Sequence, residues 1–154
     1  MADYAIYHNV PVMLQSNTNS CWYACMQMMT RYCRMTGRAS NLKDPADDPV
    51  LKGLYILNQG IPDVDSTRYA QRVGYSHSAM SPNLNGLNNL LRISPVIYAG
   101  LRDAENGHWT LINGIAEEKI SVIDPLRGRL FYQWDEYLNG DLKQDVEWPL
   151  YYAK

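Results

Sequence analysis

Apolar and polar positions follow two different rhythms along the chain. Residues 4–14 read as an extended segment, with Tyr4, Ile6, Val10, Val12 and Leu14 recurring at strand spacing and Pro11 limiting sheet pairing. Gln-Ser-Asn-Thr-Asn-Ser at 15–20 is a polar loop dense in turn formers. The period then becomes helical. Cys21, Cys25, Met28/Met29 and Tyr32 lie on one stripe, which predicts a helix over about 21–36, capped by Asn19 or Ser20 and stopped by Gly37. Asp48-Pro49 announces a second helix ending near Gly60, a third covers 66–73 before Gly74, and a fourth runs from Ser81-Pro82 to Arg92. After Pro95 the pattern is that of strands: 96–101, 108–116, 119–124, about 129–133 and 146–152, with a short helix at 134–139. Turns fall at Asp103–Gly107, Glu117-Glu118 and Asp124–Gly128. Helices first and strands second is the signature of an α+β fold. One domain is expected over 1–154, with a helical half at about 15–93 packed on an antiparallel sheet half at about 95–153.

Composition narrows the chemistry. A chain of 154 residues with 46% hydrophobic and 19% charged residues can bury a core and is not a disordered polymer. Its net charge of −2 gives no electrostatic case for nucleic acid or an anionic membrane. No apolar run approaches the ~20 residues of a membrane span. Met1-Ala2-Asp3-Tyr4 lacks the basic and apolar regions of a signal peptide, so a cytoplasmic protein in its producer is expected. Aromatics are skewed to 12 Tyr and 4 Trp against 1 Phe, which suits half-wet walls around a cleft. Cys21, Cys25 and Cys33 do not form a disulfide framework: their number is odd, and on a helix the last two stand about 12 Å apart. That points to a reducing compartment. Their spacing does not converge as metal ligands do, so neither a metal nor another cofactor is expected.

Four residues carry candidate chemistry. Cys21 falls where the polar loop enters the first helix, beside unsatisfied N–H groups and a partial positive charge that favour the reactive thiolate. Cys25 and Cys33 sit deeper in the helix and read as packing. His108 opens a strand next to Gly107, and Asp124 ends its hairpin partner. In a regular hairpin turning at 116–119, Asp124 faces residue 111, a few residues along the ladder from His108. A small bulge or twist could let the two side chains meet; the spacing of 16 permits their hydrogen bond without requiring it. Gln15 lies six residues before Cys21, where its amide could join the Cys21 N–H in binding an oxyanion. Trp22 and Trp109 each follow one of these residues and are expected to wall a substrate cleft. His8 and His77 could line it too, though each is more simply structural.

Val10-Pro-Val-Met-Leu-Gln15, Ser20-Cys21-Trp22-Tyr23-Ala24, Gly107-His108-Trp109-Thr110-Leu111 and Val122-Ile-Asp124-Pro125 with Gly128 together resemble the papain-like cysteine peptidases. The likeness is greatest to their compact bacterial branch, the bacteriocin leader-peptidase (C39-like) domains and the AvrRpt2-type effector proteases. The interval from Cys21 to His108 is shorter than the ~130–150 residues between the cysteine and the histidine of papain. Asp124 stands where papain has Asn, and Trp22 where leader peptidases usually carry Gly. The resemblance implies a papain-like fold and a cysteine endopeptidase with a Cys21–His108–Asp124 triad and a Gln15 oxyanion donor. It also implies a protein or peptide substrate, a bacterial effector or toxin delivered by a secretion system into a target cell, and a cognate immunity protein as partner. The same triad would serve maturation of double-glycine leader peptides, or a transamidase or deamidase. A homologue that only binds peptide would share the fold without the activity.

Overall fold

The computed structural model describes residues 5–39, 41–61, 65–79, 83–101, 107–137 and 149–154. Strand β1 (Ala5–Tyr7) leads through an irregular segment to α1 (Cys21–Met35), a 3₁₀ turn (Pro45–Asp47), α2 (Pro49–Ile56), α3 (Ser66–Val73), β2 (Ser76–Ala79) and α4 (Leu84–Ile93). Then come β3 (Val96–Leu101), β4 (Gly107–Ala116), β5 (Lys119–Asp124), β6 (Gly128–Gln133), the single turn α5 (Trp134–Glu136) and β7 (Pro149–Tyr152). The expected turn at 103–107 and the ends of the elements expected at 81–92, 134–139 and 146–152 lie partly outside the described residues.

Local chemistry sets these boundaries. Gly37, at φ 77°, closes α1, and Arg38 N–H returns to Cys33 O at 2.7 Å. The Asp48 carboxylate accepts the Val50 and Leu51 N–H groups and starts α2 with Pro49 in the first turn. That helix stops at Ile56, short of Gly60, because Asn58 turns left-handed at φ 54°. Asn83 caps α4, accepting Gly86 N–H at 2.7 Å. Strand β2 escaped the sequence pattern: Ser-His-Ser carries no apolar alternation, and among the described residues it is a short edge strand paired with β7 alone.

All pairings are antiparallel, in the order β2-β7-β3-β4-β5-β6, with β1 paired to β4. The halves are not simply stacked. Cys25, Met26 and Met29 of α1 pack with Ile97, Leu111, Ile123 and Tyr151 on one face of the sheet. Leu87 and Leu91 of α4 pack with Val96, Tyr98, Ile112 and Val122 on the other. Sheet and helices thus form three layers, and β5 is buried along both faces after Lys119.

One irregularity changes the hairpin. Gly114 pairs with Ser121, but Ile112 pairs with Val122, so Asn113 is an extra residue in β4. As a result Ile112 and Ile115, three residues apart, join the same apolar cluster. Asn113 is fully buried. Its Nδ2 donates to His8 O at 3.0 Å, its Oδ1 accepts the Ser121 hydroxyl at 2.8 Å, and its carbonyl accepts His8 N–H at 2.7 Å. Asn113→Ala should leave the buried Ser121 hydroxyl without its acceptor, while His8 O keeps Val10 N–H, and cost about 1–3 kcal/mol. Urea unfolding midpoints against the wild type measure that loss.

Candidate active site

The bulge decides where His108 points. Beyond Asn113 the register places Leu111 opposite Ile123, so one step further Asp124 faces Thr110 rather than residue 111. His108 and Thr110 share a strand face, so His108 turns to the face that carries Asp124; without the extra residue it would turn away. His108 Nε2 meets Asp124 Oδ1 at 2.8 Å, with only 7% and 2% of the two side chains exposed.

The turn after β5 orients the carboxylate. Asp124 Oδ1 also accepts Leu126 N–H at 2.8 Å, an Asx-turn bond, and Arg127 N–H closes the backbone onto Asp124 O at 3.1 Å. Gln15 N–H donates to Pro125 O at 2.8 Å, tying this turn to the loop that precedes α1.

Cys21 is the first residue of α1. Its Sγ accepts Trp109 N–H at 3.4 Å, which sets the sulfur against the end of β4. The His108 ring, with Nε2 committed to Asp124, has Nδ1 left over, and the Cys21 side chain is near enough to raise its basicity. Ser20 occupies the N-cap without capping: its hydroxyl turns back to Asn17 O at 2.9 Å. The first N–H groups of α1 therefore take no bond from it, which leaves donors and the positive helix end beside the sulfur. Asn19 Nδ2 holds the loop to Asn58 O at 3.0 Å, and the Ser16 hydroxyl bonds that of Tyr55.

The structure places Gln15 on this loop, but its amide is engaged. Nε2 donates to Asn17 O at 2.8 Å and Thr18 O at 2.9 Å, so both protons are occupied. The two tryptophans differ from expectation. Trp22 is 1% and Trp109 4% exposed, and Trp22 Nε1 donates to Gln59 O at 3.1 Å. Both rings belong to the core on the α1 side, so they pack beneath the site instead of offering substrate a surface. His8 is a core tie between Tyr32 OH and Leu91 O, and His77 is exposed on β2. Cys25 and Cys33 are fully buried. Arg127 and Asn113 were not singled out from sequence. The Arg lay in plain view three residues after Asp124, whereas a bulge has no such mark. Among the described residues no group of three or more His, Cys, Asp or Glu could hold a metal, and no helix is long and apolar enough to cross a membrane.

Burial alone would push His108 down, but Asp124 and Cys21 outweigh it and raise the imidazole to about 9. Burial would raise Asp124, yet His108, Leu126 N–H and Arg127 hold it at about 2. The stability contributed by the raised imidazole is complete below its ordinary value of 6.5 and is lost as pH rises through about 9. That contributed by the lowered carboxyl is present above 3.8 and lost as pH falls through about 2. The arrangement can hold a protonated imidazole between sulfur and carboxylate near neutral pH. In Asp124→Asn, desolvation loses its strongest opponent, so the His108 titration followed by NMR should fall from about 9 toward 6.5.

The family described as papain-like cysteine protease AvrRpt2 matches residues 4–135 of the chain. No curated protein sequence matches significantly. Three solved structures share the fold along nearly the whole length. A double-glycine-motif protease from an AMS/PCAT transporter, in complex with the leader peptide, is 14% identical with a TM-score of 0.59, covering 99% of this chain and 100% of that one. The peptidase domain of Streptococcus ComA, a bi-functional ABC transporter involved in quorum sensing, is 13% identical with a TM-score of 0.61, covering 95% and 100%. A C39-like peptidase from Bacillus anthracis is 13% identical with a TM-score of 0.62, covering 99% and 98%.

Proposed function

The chain belongs to the papain-like cysteine proteases of the AvrRpt2 family and is a cysteine peptidase, and on that premise we propose that Cys21, His108 and Asp124 hydrolyse peptide bonds. The observation that carries this reading is the buried 2.8 Å bond from His108 to Asp124 at the strand end against which the Cys21 sulfur is set.

His108 takes the Cys21 proton, giving a thiolate–imidazolium pair. The thiolate attacks the substrate carbonyl, and the carbonyl electrons move onto oxygen. The Cys21 N–H, which has no acceptor within the helix, is one oxyanion donor. Gln15 supplies the second by exchanging one of its loop carbonyls for the developing negative charge, the stronger acceptor. His108 protonates the leaving amine as the tetrahedral intermediate collapses to a thioester. It then takes a proton from the water that attacks the thioester and returns one to sulfur. Asp124 keeps the imidazole oriented and balances its charge throughout.

The substrate is a protein or peptide. Within the family reading we favour an effector or toxin acting on a protein in a target cell, held inactive in its producer by an immunity protein. The second reading is maturation of a leader peptide. Its support is the fold shared with a protease solved in complex with one. Coexpression distinguishes the two. An effector cleaves a target-cell protein and is blocked by a dedicated inhibitor, whereas a maturation enzyme cuts after the double glycine of a leader-bearing precursor.

Cys21→Ala and His108→Ala should each lower cleavage by about 10³-fold or more. Cys21→Ala should melt near the wild-type temperature, and His108→Ala below it because Asp124 loses its buried partner. Gln15→Ala should lower kcat by about 10²–10³-fold. Full activity in Cys21→Ala would overturn the mechanism. A new N-terminus in the product, rather than incorporation of a labelled amine, separates hydrolysis from transamidation.

A further inference from the structure

The Asp124 carboxylate is held from both ends. Oδ1 takes the His108 Nε2–H and the Leu126 N–H. Oδ2 takes the Nε–H of Arg127 at 3.0 Å, and Arg127 Nη2 also lies 3.0 Å from it. The guanidinium is anchored in turn, since the same Nη2 donates to Tyr132 OH on β6 at 3.0 Å. Tyr132 packs on Tyr137 at 5.5 Å between ring centroids, and the Tyr137 hydroxyl bonds Thr110 Oγ1 at 2.5 Å. Thr110 stands two residues along β4 from His108. A ring of contacts thus runs from the carboxylate through Arg127 and two tyrosines back to the strand that carries the imidazole.

We propose that Arg127 is a positioning residue of the active site, fixing the rotation of the Asp124 carboxylate so that Oδ1 stays aimed at His108. The physical need is specific. The terminal torsion of an aspartate is broad and roughly two-fold, so a carboxylate gripped at one oxygen can turn away from its partner. A planar fork on the other oxygen removes that freedom, which the point charge of a lysine does not do. Orientation is the main contribution: the Arg127 side chain is 46% exposed, so solvent screens much of the ion pair's stabilising energy. The Asp-Pro-Leu-Arg-Gly turn brings the guanidinium back three residues after the carboxylate. The inference rests on the proposed roles of Cys21, His108 and Asp124.

The test reads the sulfur directly and needs no knowledge of the substrate. Alkylation of Cys21 by iodoacetamide is timed at fixed pH, with the labelled peptide resolved by mass spectrometry from those of Cys25 and Cys33. In wild type, Cys21 should react much faster than it does in His108→Ala. If it does not, the proposed function fails, whatever Arg127 does. Arg127→Ala should slow Cys21 alkylation by about tenfold or more. Millimolar guanidinium should restore part of the rate with saturation, while urea, of the same shape but uncharged, should not. A wild-type rate in Arg127→Ala, or equal recovery with both additives, overturns the proposal. Should Arg127→Ala fail to fold, Arg127→Lys carries the test. A slowed rate at an unchanged melting temperature supports the positioning role, and a wild-type rate overturns it.

Discussion

The extra residue at Asn113 governs which way β4 turns its side chains, and the site follows from it. On the β1 side of the bulge, the strand pairs Gly114 with Ser121; on the other, Ile112 with Val122. That one-residue offset puts His108 on the same side as Asp124, and a slip back would send the imidazole to the opposite face. The bulge is held by buried hydrogen bonds that Asn113 exchanges with His8 and accepts from Ser121. His8 is itself fixed by Tyr32 of α1 and by Leu91 O of α4. The device that aims the base is thus tied to both helical layers, so core packing and site geometry are one structure.

The second constraint is electrostatic. Desolvation works against both charges of the His108–Asp124 pair, yet each is stabilised by the other and by the groups around them. The same burial dominates at the cysteines deeper in α1, with only the Arg38 charge working against it at Cys33. It is the largest influence on both, pushing the Cys25 thiol well above its ordinary range and the Cys33 thiol up to about 11. Position separates the three sulfurs. Cys21 stands at an uncapped helix start beside an imidazole, whereas Cys25 and Cys33 sit among apolar side chains.

Much of this was legible in the sequence because it is written in local signals. The helical stripe from Cys21 to Tyr32, the cap at Asp48 and the left-handed glycines at 37 and 74 each act within a few residues, and each appears close to where it was expected. Strand β2 was not legible, because its partner β7 lies at the far end of the chain and supplies what its own sequence lacks. The bulge was legible only as one way to join the pair: the spacing from His108 to Asp124 allowed for a bulge or twist without requiring one or saying where. The tryptophans misled because adjacency in sequence to a site residue is not adjacency in space. On a strand, the neighbour of His108 points to the opposite face, which is where Trp109 packs on Tyr151. Gln15 was placed on the correct loop, but its amide bonds depend on a loop conformation that residue type does not encode.

The central claim is that one sulfur, Cys21, carries the acyl group and that His108 makes this possible. Rapid acid quenching after mixing with an activated peptide ester, followed by mass spectrometry, tests it directly. The expected result is a single thioester on the peptide bearing Cys21, formed in wild type and absent in His108→Ala. Acyl groups on Cys25, Cys33 or another residue, or equal acylation of Cys21 without His108, would contradict the account.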